Sequence, residues 1–328
     1  MEKFKALVVR EENGKYVRSI QERTFDELSD NDIIIKVKYS SLNYKDALSA
    51  IGNKGVTRNY PHTPGIDAAG IVHKSRSDKF SEGDEVIAIG YDLGMNTSGG
   101  YGEFISVPED WVIKKPDNMT LKECMVFGTA GFTAALSILK LEEHGLTPDK
   151  GEVVVTGATG GVGSMAAAML ASSGYSVVAA TGKKDKYEFL KSLGVKEVVD
   201  RGDVDDTSGK VLLKPRWAGA VDTVGGNILC TVIKSLNYGA SATACGLTKS
   251  FELNLTVYPF ILRGVNLLGI DSVEQPLEKK RSVFNTIANR WNKEFVNSIY
   301  KEVSLDEISD YIDKILQGQI TGRIVVKL

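Results

Sequence analysis

The sequence predicts an α/β protein: a doubly wound parallel sheet preceded by a β-rich domain that the C-terminal segment completes. Three observations predict it. The first 125 or so residues carry short β-branched stretches between Gly, Asp, Asn and Ser clusters. From Val153 to Cys245, strand-like and helix-like segments alternate, which is the pattern of a parallel sheet. The tail Ile324-Val-Val-Lys-Leu328 is again strand-like and returns to the first domain. At 328 residues the chain exceeds one typical core. The expected division is 1–125 with 273–328, and 126–272.

Taken in order, Ile33–Tyr39, Ala68–Val72 and Glu85–Ile89 are β-branched runs, the last entered through the turn Ser81–Val86. Irregular β at this density suggests a barrel-like or partly open β domain. Leu121 to Leu141 places Ala, Leu, Met and Phe at helical spacing, interrupted by Gly128-Thr-Ala-Gly131. Strand 153–156, helix 162–173, strand 176–181, helix 185–193 and strand 196–199 follow. Beyond them lie a strand at 219–223, a helix at 226–236, a strand at 239–245 and an apolar run at 265–270.

Composition bounds the function. The chain is 42% apolar and 25% charged with a net charge of −2, so no charge excess draws it to nucleic acid or a membrane surface. No apolar run reaches the roughly 18–20 residues that span a bilayer. The start lacks the pattern of a secretory leader, so a cytoplasmic protein is expected. Cys124, Cys230 and Cys245 are far apart, as are His62, His73 and His144, which suits reduced thiols rather than disulfides or a zinc knuckle.

The chemistry starts at Val153–Leu170, VVVTGATGGVGSMAAAML. Read as a Rossmann loop, Ala158-x-Gly160-x-x-Gly163 follows a strand and opens a helix. Gly160 lets backbone approach a pyrophosphate, Gly163 lets the helix pack on the strand, and the helix N-terminus attracts the anion. The same letters spell Thr156-Gly157-x-x-x-Gly161-x-Gly163, a short-chain dehydrogenase signature, and Tyr187-x-x-x-Lys191 supplies its YxxxK. Position separates the two. Some 150 residues precede the loop, and Tyr187 and Lys191 fall on the very next helix, so the pair is expected to be ordinary helix surface.

The second strand ends Ala179-Ala-Thr-Gly-Lys-Lys184, without an acid before Asp185 to accept from a ribose 2′-hydroxyl. Thr181, the Gly182 amide and Lys183, with Arg201 after the third strand, suit a 2′-phosphate instead. NADPH is the expected cofactor; the alternative is a solvated lysine pair that begins a helix.

The whole set resembles the medium-chain dehydrogenase/reductase superfamily, and within it the quinone oxidoreductase-like YhdH/YhfP group, which includes acryloyl-CoA reductases. The resemblance rests on Ser41-Leu-Asn-Tyr-Lys-Asp46, Pro64-Gly-Ile-Asp67, Gly128–Ala134, the glycine loop, Ala220–Gly225, Tyr258–Gly264, Gly269–Val273 and Gly322–Leu328. It implies a GroES-like β domain beside a Rossmann domain. The places matching the catalytic zinc ligands of the superfamily's alcohol dehydrogenases are Asn43, Ile66 and Thr129, and no metal is expected. It implies cofactor contacts from Tyr44, Thr159, Gly160, Gly161, Val162, Thr181, Gly182, Lys183, Arg201, Leu247, Ile261 and Ser272.

For catalysis it points to Tyr44 at the nicotinamide end, as cofactor contact or as donor to substrate, to Asn43 as a neutral donor, and to Asp67 as either the group that orients a neighbouring donor or a structural residue. By its chemistry Ser41–Asp46 also reads as a helix start, with Asn43 as N-cap and Asp46 in the first turn. Lys54 and Arg58 are candidate cations for a CoA ester's phosphates. The implied activity is hydride addition to an activated C=C bond of a small-molecule substrate, acryloyl-CoA foremost, then a quinone or enone. A non-catalytic NADPH-binding redox sensor is the rival class. The apolar strand Val265–Ile270, near the sheet edge, suggests a homodimer.

Overall fold

A computed structural model describes residues 3–328. Contacts divide the chain into two compact units: residues up to Phe132 with Ser272–Leu328, and Thr133–Asp271.

The first unit opens with a hairpin, β1 (Lys3–Glu12) and β2 (Lys15–Thr24). Its two-residue turn is Asn13-Gly14, both at positive φ (52° and 75°), the backbone that a twisted hairpin needs and that Asn-Gly supplies at little cost. There follow β3 (Ile33–Ser41), α1 (Tyr44–Ala50), β4 (Asp67–Ser75), β5 (Glu85–Ile89), β6 (Phe104–Val107) and β7 (Val112–Lys114). The helix α2 (Leu121–Glu143) then leads into the second unit. Alternating Ile33, Ile35 and Val37 point one face of β3 onto Ala68, Val72, Val86, Ile105 and Val112, which makes the first core.

The second unit contains β8 (Glu152–Thr156), α3 (Gly161–Ser172), β9 (Ser176–Thr181), α4 (Tyr187–Ser192), β10 (Glu197–Asp200), β11 (Trp217–Asp222), α5 (Gly226–Lys234), β12 (Leu236–Ala244), α6 (Tyr258–Arg263) and β13 (Asn266–Gly269). Its six strands are parallel, in the order β10-β9-β8-β11-β12-β13. The winding reverses between β8 and β11. In such sheets ligands bind beyond the strands' carboxyl ends at that reversal. The doubly wound sheet expected from the alternation is therefore present. Val154, Val178, Ala220, Ile228, Val232 and Leu236 pack the sheet against its helices.

The return segment supplies α7 (Leu277–Thr286), β14 (Tyr300–Ser304), α8 (Ile308–Leu316) and β15 (Arg323–Lys327). Strand β15 pairs with β3, antiparallel, and with β14. The final strand thus completes the first unit's sheet, in the order β14-β15-β3-β4-β5-β7 with β6 also on β3.

Two expectations need correction, and one is borne out. The helix expected at 185–193 is a 3₁₀ turn at Lys184–Lys186 followed by the short α4. The interruption expected within Leu121 to Leu141 is present: Gly128 leaves helical geometry (φ 48°, ψ −153°), and α2 is two helical stretches joined across that kink. That helix is also long and apolar enough to cross a membrane; the reason for its composition is that 83% of its most apolar window is buried inside the protein.

Candidate active site and nucleotide cradle

In the second unit, Gly157 turns at φ 59° after β8, and Gly160 precedes α3. A Cβ on Gly163 would lie 2.3 Å from the Gly157 carbonyl oxygen, so only glycine lets the helix start this close to the strand. The free N–H groups of this 12-residue helix open at the carboxyl ends of β8 and β9. Asp222, at the end of β11, braces the neighbouring loop: it accepts from Thr156 Oγ1 (2.7 Å) and from the Gly225 N–H (2.8 Å). Burial pushes its carboxyl above the usual range.

Beyond β9, Thr159 Oγ1 and Thr181 Oγ1 lie 3.4 Å apart, and the Lys183 N–H donates to Thr181 Oγ1 (3.1 Å). A Cβ on Gly182 would meet the Arg201 side chain at 2.9 Å, so this guanidinium lies across the turn. Partial burial lowers the Lys183 ammonium below its ordinary value. Thr159, Gly160, Gly161 and Val162 thus lie on the loop after β8, and Thr181, Gly182 and Lys183 on the turn after β9, with Thr159 against Thr181 and Arg201 against Gly182. Two hydroxyls, open N–H groups and two cations are a donor set that fits a phosphorylated dinucleotide. Leu247 and Ile261 are 63% and 68% exposed, within a segment that also exposes Phe251, Val257, Tyr258 and Leu262. Ser272 opens the return segment of the first unit. Tyr187 and Lys191 lie on α4, where Lys191 pairs with Glu188 (3.0 Å) at the surface.

In the first unit, polar side chains converge at the start of α1. Asp67, fully buried, accepts from four donors: Ser41 Oγ (2.5 Å), Asn43 Nδ2 (2.8 Å), the Thr129 N–H (2.9 Å) and Thr129 Oγ1 (2.5 Å). The break at Gly128 restarts α2 at Thr129 and frees that N–H for a carboxylate, which the helix dipole also favours. A Cβ on Gly128 would stand 2.5 Å from Asp67 Oδ2 and 2.6 Å from Ser41 Oγ, so the break has no room for another residue.

Arg323, the first residue of β15, brings in the cation. It donates to Ser41 Oγ (2.8 Å), Val126 O (3.0 Å), Leu42 O (3.2 Å) and Asn43 Oδ1 (3.3 Å). Its Nη2 stands 4.0 Å from Asp67 Oδ2, and the Ser41 hydroxyl bridges the two. Beneath them Asp46 accepts from the Asn43 N–H (2.7 Å), the Ile66 N–H (2.8 Å) and the Tyr101 hydroxyl (3.1 Å). Burial, and then the neighbouring Asp67 charge, push the Asp46 carboxyl up to about 7. Burial lowers the Arg323 guanidinium below its ordinary value, opposed by Asp67 and Asp46.

Of the three zinc-matching positions, Asn43 and Thr129 are both donors to Asp67, and Ile66 contributes its backbone N–H to Asp46. Tyr44, the first residue of α1, is 47% exposed. Lys54 is exposed but has partners. It stands over the Tyr60 ring (4.8 Å) and 3.4 Å from Glu11, because the hairpin brings an acid and Tyr16 beside it. Arg58 lines the same 510 Å³ cavity, with Arg10, Glu11 and Glu12.

The residue that sequence reasoning missed is Arg323, with Ser41 and Tyr101. Their signal was faint. An arginine heading the otherwise apolar run Ile324–Val326 must find a buried anion if that strand is internal.

A parallel nucleotide-binding sheet inserted into a β domain that the C-terminal strand completes is the build of a medium-chain dehydrogenase/reductase. Residues 29–117 match the alcohol dehydrogenase GroES-like domain, and residues 161–289 match the zinc-binding dehydrogenase family. The chain belongs to this superfamily, in its quinone oxidoreductase-like YhdH/YhfP group. It is 46% identical to YhfP of Bacillus subtilis, whose name places it among quinone oxidoreductases, over 99% of both chains. It is 42% identical to the acrylyl-CoA reductase AcuI of Ruegeria pomeroyi over 98% of each. The crystal structure of Escherichia coli YhdH with bound NADPH covers 98% of this chain and 99% of its own, with TM-score 0.95 and 42% identity. That of YhfP with NAD bound covers all of both chains, with TM-score 0.97.

Proposed function

We propose that this protein is an NADPH-dependent reductase of carbon–carbon double bonds conjugated to a carbonyl, with acryloyl-CoA as its substrate. The observation that carries the reading is the neutral donor pair on Asp67, Asn43 and Thr129, in a chain alike over its full length to an acrylyl-CoA reductase. When bound, the reduced nicotinamide supplies hydride to the alkene's β-carbon. This chain's residues then stabilise what develops: negative charge moves onto the thioester oxygen, a fixed N–H donor beside it lowers the barrier, and a proton from water at the α-carbon completes the reduction. A conjugated substrate delocalises that charge and asks less of the site than an alkoxide does. Lys183, Arg201, Thr181 and Thr159 support NADPH over NADH through the 2′-phosphate.

The test is NADPH oxidation with acryloyl-CoA, crotonyl-CoA, a simple enone and a small quinone, repeated with NADH. Highest kcat/KM for acryloyl-CoA with NADPH is expected. A quinone ahead of every thioester would move the assignment to quinone reduction, the reading that the name of YhfP favours. Tight NADPH binding without turnover of any of the four would make it a redox sensor. We also propose a homodimer joined through β13, which ends the parallel sheet and, among the described residues, pairs only with β12. A solution mass near the single-chain 35.6 kDa would refute it.

A further inference from the structure

We propose that Arg323 is a positioning residue for Asn43: with Asp67 it locks the Asn43 amide in one orientation and leaves one N–H of Nδ2 for the substrate's carbonyl oxygen. The amide is held at both ends. Asp67 Oδ2 lies 2.8 Å from Nδ2, and Arg323 Nη1 lies 3.3 Å from Oδ1. A carboxylate only accepts and a guanidinium only donates. Flipping the amide would put oxygen against oxygen on one side and N–H against N–H on the other. Chemistry therefore decides the orientation of this side chain. The backbone is fixed as well, because the Asn43 N–H donates to Asp46 Oδ2 (2.7 Å).

The remaining N–H is what matters. An amide nitrogen has two, and one serves Asp67. Among the described residues the second has only long contacts to Ser41, at 3.4 Å to the carbonyl oxygen and 3.5 Å to the hydroxyl. Thr129 is placed differently: its single hydroxyl proton goes to Asp67 Oδ1 at 2.5 Å. Asn43 is also partly exposed, whereas Ser41, Asp46, Asp67, Tyr101 and Arg323 behind it are buried. A buried arginine thus sets the direction of a neutral donor without touching the substrate.

This inference rests on the reductase reading for what the donor meets, and its test separates the two. Four variants are made: Asn43→Ala, Arg323→Lys, Asp67→Asn and the exchange Asn43→Asp/Asp67→Asn. The exchange keeps one amide, one carboxylate and the guanidinium, but gives position 43 acceptors only. Asn43→Ala is expected to lower kcat by about 100-fold, the scale of losing one oxyanion donor. For Arg323→Lys, which loses the fork reaching Asn43 Oδ1, a fall of about 10-fold is expected. The NADPH Kd stays within about two-fold in both.

The exchange variant should regain most of the Tm that Asp67→Asn loses, yet keep the low kcat. Restored kcat in the exchange variant, or near-wild-type kcat in Asn43→Ala, would overturn the proposal. If the wild type turns over no substrate, the reductase reading fails, and selective ¹⁵N labelling of Asn43 still decides the positioning role. Two well-separated amide protons that merge or shift in Arg323→Lys support it; an unchanged pair refutes it. The same readout serves if the exchange variant does not fold.

Discussion

The nucleotide cradle of the second unit and the polar network of the first are built from opposite materials. The cradle's phosphate loop is backbone, shaped by glycines within one stretch of chain between β8 and α3, with side chains added from the end of β9 and from Arg201. The network is mostly side chain, drawn from residues 41–46, 67, 101, 129 and 323, and no two of these groups adjoin in sequence. A backbone site tolerates change wherever no Cβ intrudes. A buried charge network depends on every member, because each removal strands another.

Arg323→Met should therefore have the largest effect. It leaves Asp46 and Asp67 without their buried cation, and breaking such a pair costs about 3–5 kcal/mol. Thermal unfolding measures it; a loss under about 1 kcal/mol would show that neutral donors alone support Asp67. In the cradle, the equivalent break is Gly163→Val, whose Cβ meets the Gly157 carbonyl oxygen. A cost on the order of 2–3 kcal/mol should weaken NADPH binding about 100-fold, with the Asn43 network intact. Calorimetric titration with NADPH reads it, and unchanged binding would remove the close helix start from the account.

Next comes selectivity. The double variant Lys183→Ala/Arg201→Ala should raise the KM for NADPH by about 10–100-fold, the worth of charge-assisted hydrogen bonds, and leave that for NADH within about two-fold. Equal losses for both cofactors would show that the cations do not read a 2′-phosphate.

A smaller effect comes from pH. The folded protein holds the Asp46 carboxyl up near 7, above its ordinary 3.8, facing Asp67, Tyr101 and Arg323. An acid raised on folding binds its proton more tightly in the native state, so its contribution is full below the unfolded value. It is lost as pH rises through the folded one. Denaturant midpoints should fall between pH 4 and pH 8, and Asp46→Asn should flatten that part of the decline. An unaltered slope would assign the decline to other groups. Smallest of all, Tyr187→Phe and Lys191→Ala, on the surface of α4, should stay within about 0.5 kcal/mol of the parent in stability. Their kcat should not change, and a loss would show that the surface of α4 takes part in turnover.

The same contrast explains what the sequence made legible. The glycine loop, the strand–helix alternation and Thr181–Lys183 are local, so spacing alone exposed them. Asn43 and Asp67 were legible through resemblance, Asp67 as an orienting group, but which donors it holds was not, since that depends on β3 and β4 running antiparallel. Arg323 lies 282 positions from Ser41, and only the return of β15 to β3 brings them together. The Asn13-Gly14 turn was legible in principle and passed over. The neighbours of Lys54 were not legible, because a sequence does not show which ring or acid a side chain lies against.

The placement of Arg323 on β15 also sets a timetable. On the ribosome, Asp46 and Asp67 are made long before the guanidinium that compensates them, and the whole nucleotide-binding unit is completed in between. Domains tend to fold as they emerge. The second unit, whose strands are consecutive in the chain, is therefore free to mature while the first still holds a carboxylate pair without its cation. The donor site at Asn43 comes into being only when β15 docks, so a nascent chain acquires its cradle before it acquires its chemistry.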